Sequence, residues 1–163
     1  MSSSSISKSE AYEFLKTIPL AVFGTVSNEN TPHLTTLFYI VDKDLNFYFI
    51  SRSQTAKIDN IKRGSKVSIV VSDRRSFTTV QAQGVAVQLS GVDKIKTIFK
   101  MFTDVYRNQD IIEKGKLFNW APPIENIGSG DIVIYEVKPE WVRYADYKNT
   151  SPLDGNAMQE VVL

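Results

Sequence analysis

No cysteine occurs anywhere in the 163 residues, which excludes disulfides, thiolate catalysis, Cys-ligated zinc and iron–sulfur clusters. Histidine is almost as scarce: His33 stands alone, so no multi-histidine metal site can be assembled. A charge excess is missing too. Nineteen Lys and Arg face eighteen Asp and Glu for a net +1, and nothing global draws the chain to nucleic acid or an anionic membrane. Long apolar runs are also lacking. The first apolar stretch, IPLAVFG (18–24), is short and follows acidic residues, which fits neither a signal peptide nor a membrane span. A cytoplasmic protein fits these absences best. What remains is 42% hydrophobic and 23% charged, the balance of an ordinary globular protein. The length suffices for one domain, 1–163, with a real core.

The polar N-terminus MSSSSI is expected to be disordered. Ser7 and Glu10 have capping-box spacing. Ala11, Phe14, Leu15 and Ile18 then form one helical face, which Pro19 ends. Strands are predicted at 20–26, 33–41, 45–51 and 66–72, with turns at SNEN and DKD and a loop at RRS. A long strand, 77–89, changes its apolar parity at Gly84: Val80 and Ala82 are even, Val85, Val87 and Leu89 odd. A one-residue bulge at Gly84 would return all of them to one face. Ile95, Ile98, Phe99, Phe102, Val105 and Tyr106 mark an amphipathic helix over 92–107. NWAPPIENIGSG (119–130) reads as irregular, DIVIYEVKP as the last clear strand, EWVRYADY as its extended continuation, and 148–163 as a loose tail. Six strands joined mostly by short turns, with few helices, indicate a mainly β protein built as an antiparallel barrel.

One connection is too long for a hairpin. Between the strands ending at Ser51 and beginning at Lys66 lie Arg52, Lys57, Lys62 and Arg63 against a single acid, Asp59. Ser51, Ser53 and Thr55 place hydroxyls where a short helix, 54–63, should begin, with Ile58 and Ile61 inward. Helix-start N–H groups, hydroxyls and a lysine together suit an anion such as a phosphate monoester. A capped surface helix with solvated lysines accounts for the same residues about equally well.

TPHLTTLFYIVDKDLNFYFISRSQTAKIDNIKRGSKVSIVV (31–71) resembles the core of the pyridoxamine 5′-phosphate oxidase-like family of flavin-binding split barrels. The likeness runs from Leu20 to Leu89 and more weakly through 133–147. Its most specific part is TAKIDNI, which resembles the family's Ser/Thr-x-Lys signature after the third strand. The Asn at this place, Asn60, is typical of the branch using FMN or the deazaflavin F420. The resemblance implies a six-stranded antiparallel split β-barrel that works as a homodimer with the cofactor at its interface. It implies FMN, with F420 as the alternative, and a flavin-dependent oxidoreductase acting on a small molecule. Lys57, Thr55 and Ser51 match the phosphate ligands, and Ile50 and Arg52 flank them. Thr35, Thr36 and Leu37 match the strand along the flavin ring, and Thr79 stands where the oxidase proper has a flavin-contacting glutamine.

The chain departs from the oxidase at several of these places. Thr35 and Ile40 replace an Arg and a Lys, Ala56 replaces another Arg, and the C-terminal Arg-Leu-His motif is reduced to Arg143, Tyr144 and Ala145. Oxidation of pyridoxamine 5′-phosphate is therefore not expected. A non-catalytic flavin or haem carrier is the other functional class. His33 is the one candidate haem ligand, and a lone histidine near a turn is more often structural. Trp120, Pro122 and Pro123 read as a packed loop in preference to a lid. No nucleophile elbow surrounds any serine. The consecutive aromatics Phe47, Tyr48 and Phe49 point to alternate faces, so they do not form a stacking platform.

Overall fold

The computed structural model describes residues 6–107, 130–151, 153 and 157–163. Helix α1 (Lys8–Leu15) starts with the expected capping box: Ser7 Oγ accepts from the Glu10 N–H at 3.2 Å, and Glu10 accepts from the Ser7 N–H at 2.8 Å. Its apolar face buries Ala11 and Leu15. Then follow β1 (Leu20–Val26), β2 (Pro32–Val41), β3 (Phe47–Arg52), α2 (Ala56–Lys62), β4 (Val67–Asp73), β5 (Thr78–Gln88), α3 (Val92–Arg107), β6 (Ile132–Asp146) and β7 (Met158–Glu160). Every pairing is antiparallel. The strand order is β3-β2-β1-β4-β5-β6-β7, and a further pairing of β3 with β6 closes a six-stranded barrel.

Alternation along the strands divides the apolar residues into two layers. Phe23, Phe47, Phe49, Val71, Val80 and Val137 fill the barrel, with Phe23 and Phe49 in ring contact at 4.8 Å. The opposite face of β2, β3 and β6 is covered by α3, whose Ile98, Phe102 and Tyr106 pack on Ile40, Tyr48, Ile132 and Ile134. The α3 helix thus spends its apolar face on its own barrel.

The bulge lies where the sequence places it but on the other strand. Gln83 pairs with Trp141 and Gly84 with Pro139, so the extra residue is Glu140 of β6. Gly84 is required there, because a Cβ would come within 2.8 Å of Pro139 Cα and collide with the Lys138 carbonyl. Since β5 itself carries no insertion, its alternation continues unbroken through Ala86. Val85 and Val87 remain outside, 39% and 50% exposed, contrary to the expectation that they turn inward; Leu89 is buried beneath α3.

The tail is more ordered than its sequence suggests. Met158–Glu160 pairs with Arg143–Ala145, and Val161 joins the barrel core. Three residues are too few to show alternation in sequence. Among the described residues, no helix is long and apolar enough to cross a membrane.

Candidate functional site

The polar connection between β3 and β4 borders a cleft of about 340 Å³ on the outside of the barrel. β2 contributes Thr36, Leu37 and Phe38 to its lining; β3 contributes Ile50, Ser51 and Arg52. Thr55 and Lys57 enter from the start of α2, and Phe102 from α3. The volume is in the range of small-molecule sites.

The two ends of the cleft differ in character. At one end, Phe38 meets Tyr106 edge-on at 5.5 Å and Phe102 stacks on Tyr106 at 5.9 Å, giving an aromatic wall. At the other end lie Arg52, Lys57 and two hydroxyls. Thr55 occupies the N-cap of α2 with extended backbone, φ −137°, but its side chain makes no capping bond. Ser51 is buried and donates to the Arg52 carbonyl at 3.0 Å. Lys57 is half-buried, and burial holds its pKa below the usual lysine value. No carboxylate lines the cleft among the described residues, and neither Lys57 nor Arg52 has an ion-pair partner among them. An unpaired, partly desolvated cation costs free energy that an anionic ligand would recover.

Of the residues singled out from sequence, Thr36, Leu37, Ile50, Ser51, Arg52, Thr55 and Lys57 meet in this cleft. Three do not. Thr35 pairs with Phe23 and belongs to the opposite face of β2 from Thr36. Asn60 is buried and turns toward β1, where its Nδ2 donates to Thr25 Oγ1 at 2.9 Å. Thr79 lies on β5, three strands from β2, with its hydroxyl 3.0 Å from that of Ser72. Phe38 and Phe102 also line the cleft. Phe38 shares the period-2 face of Thr36, which is a usable signal, whereas Phe102 reads in sequence only as core. Trp120, Pro122 and Pro123 lie outside the described residues.

A second concavity of about 470 Å³ separates α1 from α3, lined by Leu15, Ile18, Tyr39 and Val105. Its one cation, Lys16, is already paired with Glu13 at 2.5 Å. His33 lies away from both, paired with Thr25 across β1 and β2. No group of three or more His, Cys, Asp or Glu that could hold a metal occurs among the described residues.

Comparison with known proteins bears on this architecture. The family profile described as "Pyridoxamine 5'-phosphate oxidase" matches residues 7–146. No curated protein sequence matches at a significant level. Among solved structures, a conserved hypothetical protein, Rv2991, from Mycobacterium tuberculosis superposes with a TM-score of 0.67 at 18% identity, over 88% of this chain and 86% of that one. A pyridoxamine 5′-phosphate oxidase-related, FMN-binding protein from Nostoc punctiforme gives 0.61 at 17% identity, over 89% and 82%. A protein from Clostridium acetobutylicum related to general stress protein 26 gives 0.61 at 14% identity, over 85% and 87%. At such identities these structures speak for the fold. With the profile spanning all but the ends of the chain, the protein belongs to the pyridoxamine 5′-phosphate oxidase family.

Proposed function

We infer that the cleft binds FMN and that the protein is a flavin-dependent oxidoreductase acting on a small molecule. The observation that carries this reading is the unpaired Lys57 beside Arg52, Ser51 and Thr55 at one end of an aromatic-walled cleft. Lys57, Thr55 and Ser51 would hold the phosphate, while Thr36, Leu37 and Phe38 would flank the ring. The FMN-binding description of the Nostoc neighbour supports the same choice. When bound, a flavin supplies hydride or electron transfer. The chain's own contribution is to orient the cofactor and shape the space beside it.

A carrier is the second reading, and one observation favours it. Apart from Lys57 and Arg52, no ionisable side chain lines the cleft among the described residues, so proton transfer from the chain has few candidates. The absorption spectrum of the purified protein separates the cofactors: flavin bands, the F420 band or a haem Soret band. Oxidation of a reduced nicotinamide by the FMN-loaded protein separates enzyme from carrier. FMN that neither co-purifies nor binds on titration would refute the assignment.

The working unit in this reading is a homodimer with the cleft at its interface. The support comes from the outer sheet face, since α3 spends its apolar face on its own barrel. Leu34 is 69% exposed and Val22 42% on that face. Thr36 at the cleft rim pairs with Val22, Val22 with Val70, and Val70 with Gln81. The exposed Val22 and Leu34 thus lie beside Thr36 at the cleft rim, and a second copy seated on them would cover both. A monomeric mass by light scattering, with flavin bound, would rule this out.

A further inference from the structure

A carboxylate lies where α3 meets the barrel, in a place that apolar contacts alone would fill. Glu136 is 7% exposed and pairs across β6 with Tyr48 on β3 and Val87 on β5. It shares its face of β6 with Ile132 and Ile134, which belong to the apolar layer beneath α3. The Tyr48 hydroxyl lies 3.0 Å from Glu136 Oε1, and Lys94 Nζ of the first turn of α3 lies 3.3 Å from Oε2; Lys138 is more distant at 3.9 Å. The same hydroxyl is 3.0 Å from Asp42 Oδ2. Asp42 has other donors, however: the N–H groups of Asp44 and Asn46 at 2.9 Å and the Asn46 amide at 3.0 Å. Glu136 depends on Tyr48 and the lysines. Burial, reinforced by both carboxylates, pushes the Tyr48 pKa upward, so the hydroxyl keeps the proton it donates.

The carboxylate is buried while Lys94 is half exposed; replacing a buried, paired charge by an apolar side chain is often neutral or stabilising, and the attested use of such a charge is to fix register. That use fits here. Contacts of α3 with Ile40, Ile132 and Ile134 are non-directional and tolerate sliding; the directional contacts lie near its two ends, where the Tyr106 hydroxyl meets the Tyr39 and Pro19 carbonyls and Lys94 meets Glu136. A carboxylate held by Tyr48 from the barrel and met by Lys94 from α3 favours one register for the first turn of the helix. Phe102 follows Lys94 on the same helix at about 12 Å, at 1.5 Å per residue, and it forms one wall of the cleft. We propose that Glu136 is a positioning residue: by engaging Lys94 and Tyr48 together it sets the register of α3 on the barrel, and through α3 the place of Phe102 in the cleft. Only the last step rests on the cofactor reading above.

The test uses Glu136→Leu, with Glu136→Gln and Lys94→Met as milder variants. It reads thermal stability, amide hydrogen exchange over 98–107 in FMN-free protein, and FMN affinity by fluorescence quenching. Glu136→Leu should keep or raise the melting temperature while exchange in α3 quickens and FMN binding weakens roughly tenfold, a change of about 1.4 kcal/mol. The milder variants should shift exchange and affinity less, in the same direction. Unchanged exchange in Glu136→Leu would overturn the proposal, as would stability and affinity falling in proportion across the series. Lys57→Ala separates this from the cofactor reading. Quickened exchange with unchanged FMN affinity, in a protein where Lys57→Ala does weaken binding, overturns the link from α3 to the cleft. FMN binding indifferent to both substitutions refutes the cofactor reading, and the exchange data then decide for or against the register role.

Discussion

Lys57 and Glu136 are both partly or wholly withdrawn from water on the outside of one barrel, yet their surroundings are opposite. Glu136 has Tyr48, Lys94 and Lys138 within reach, whereas Lys57 has no ionic partner among the described residues. A desolvated charge with partners is part of the architecture, because removing a partner exposes the cost of burying the charge. A desolvated charge without partners is a cost the ligand-free fold carries, and it marks the place where a ligand of opposite sign gains most. The contrast distinguishes a place that holds the molecule together from one that waits for something to bind.

The comparison breaks first at Lys57. Lys57→Ala should weaken FMN binding by about 1.5–3 kcal/mol, the range for a hydrogen bond to a charged group, and leave thermal stability in the absence of FMN unchanged or raised. Quenching titrations alongside thermal melts check both halves; equal affinity would remove Lys57 from the site. Tyr48→Phe should do the reverse. It takes a donor from Glu136 and should lower stability by about 1 kcal/mol, read from denaturant midpoints. A midpoint identical to that of the unmodified chain would show that the hydroxyl contributes nothing net.

How much of this was legible in the sequence varies with the range of the interaction involved. The Ser7–Glu10 box, the β1 span at Leu20–Val26 and the α3 span at Val92–Arg107 come out as read, because caps and periodicity are local signals. The polar run from Ser51 to Lys57 announced the cleft for the same reason. Long-range pairing was not legible. Gly84 marks the bulge, but which strand holds the extra residue depends on Glu140, more than fifty residues away. Asn60 reads as a site residue, yet its partner Thr25 lies on another strand and draws it away from the cleft. Phe102 on α3 looks like any core aromatic until the fold sets it beside Ile50 and Phe38.

A smaller effect sharpens the contrast through pH. Burial lowers the Lys57 pKa in the fold below its value in the unfolded chain. Between the folded and unfolded values the unfolded chain therefore binds more protons, and stability rises with pH across that window. Below the folded value the penalty of the buried charge is fully present. Relative to Lys57→Met, the FMN-free protein should gain stability as pH rises through the folded pKa, and bound FMN should flatten that rise by favouring the charged lysine. Melting temperatures measured for both proteins across the alkaline range, with and without FMN, test this. A constant difference at every pH would show that Lys57 is as well solvated in the fold as outside it.

The smallest expected effect is none: the FMN-loaded protein should not oxidise pyridoxamine 5′-phosphate at an enzymatic rate. Arg143 is the one cation left in the stretch of β6 that resembles the oxidase's substrate motif, and it belongs with Glu136 in the contrast drawn above, not with Lys57. Its guanidinium donates to Gln81 Oε1 at 2.6 Å and lies 5.1 Å from the centre of the Trp141 ring. A substrate phosphate would meet a guanidinium already held between Gln81 and Trp141, and a dianion needs charge-assisted donors from more than one side chain. Ala145 is buried and pairs with Thr79 and Met158, so no side chain there can move a proton. His33 lies on β2 opposite Thr25, away from this stretch of β6, and cannot take over that role within the chain. Assay of pyridoxal 5′-phosphate and hydrogen peroxide by the FMN-loaded protein decides the matter. Turnover at about one per second or above, typical of enzymes, would mean that Arg143 leaves Gln81 for the substrate and that its pairing is no measure of its availability.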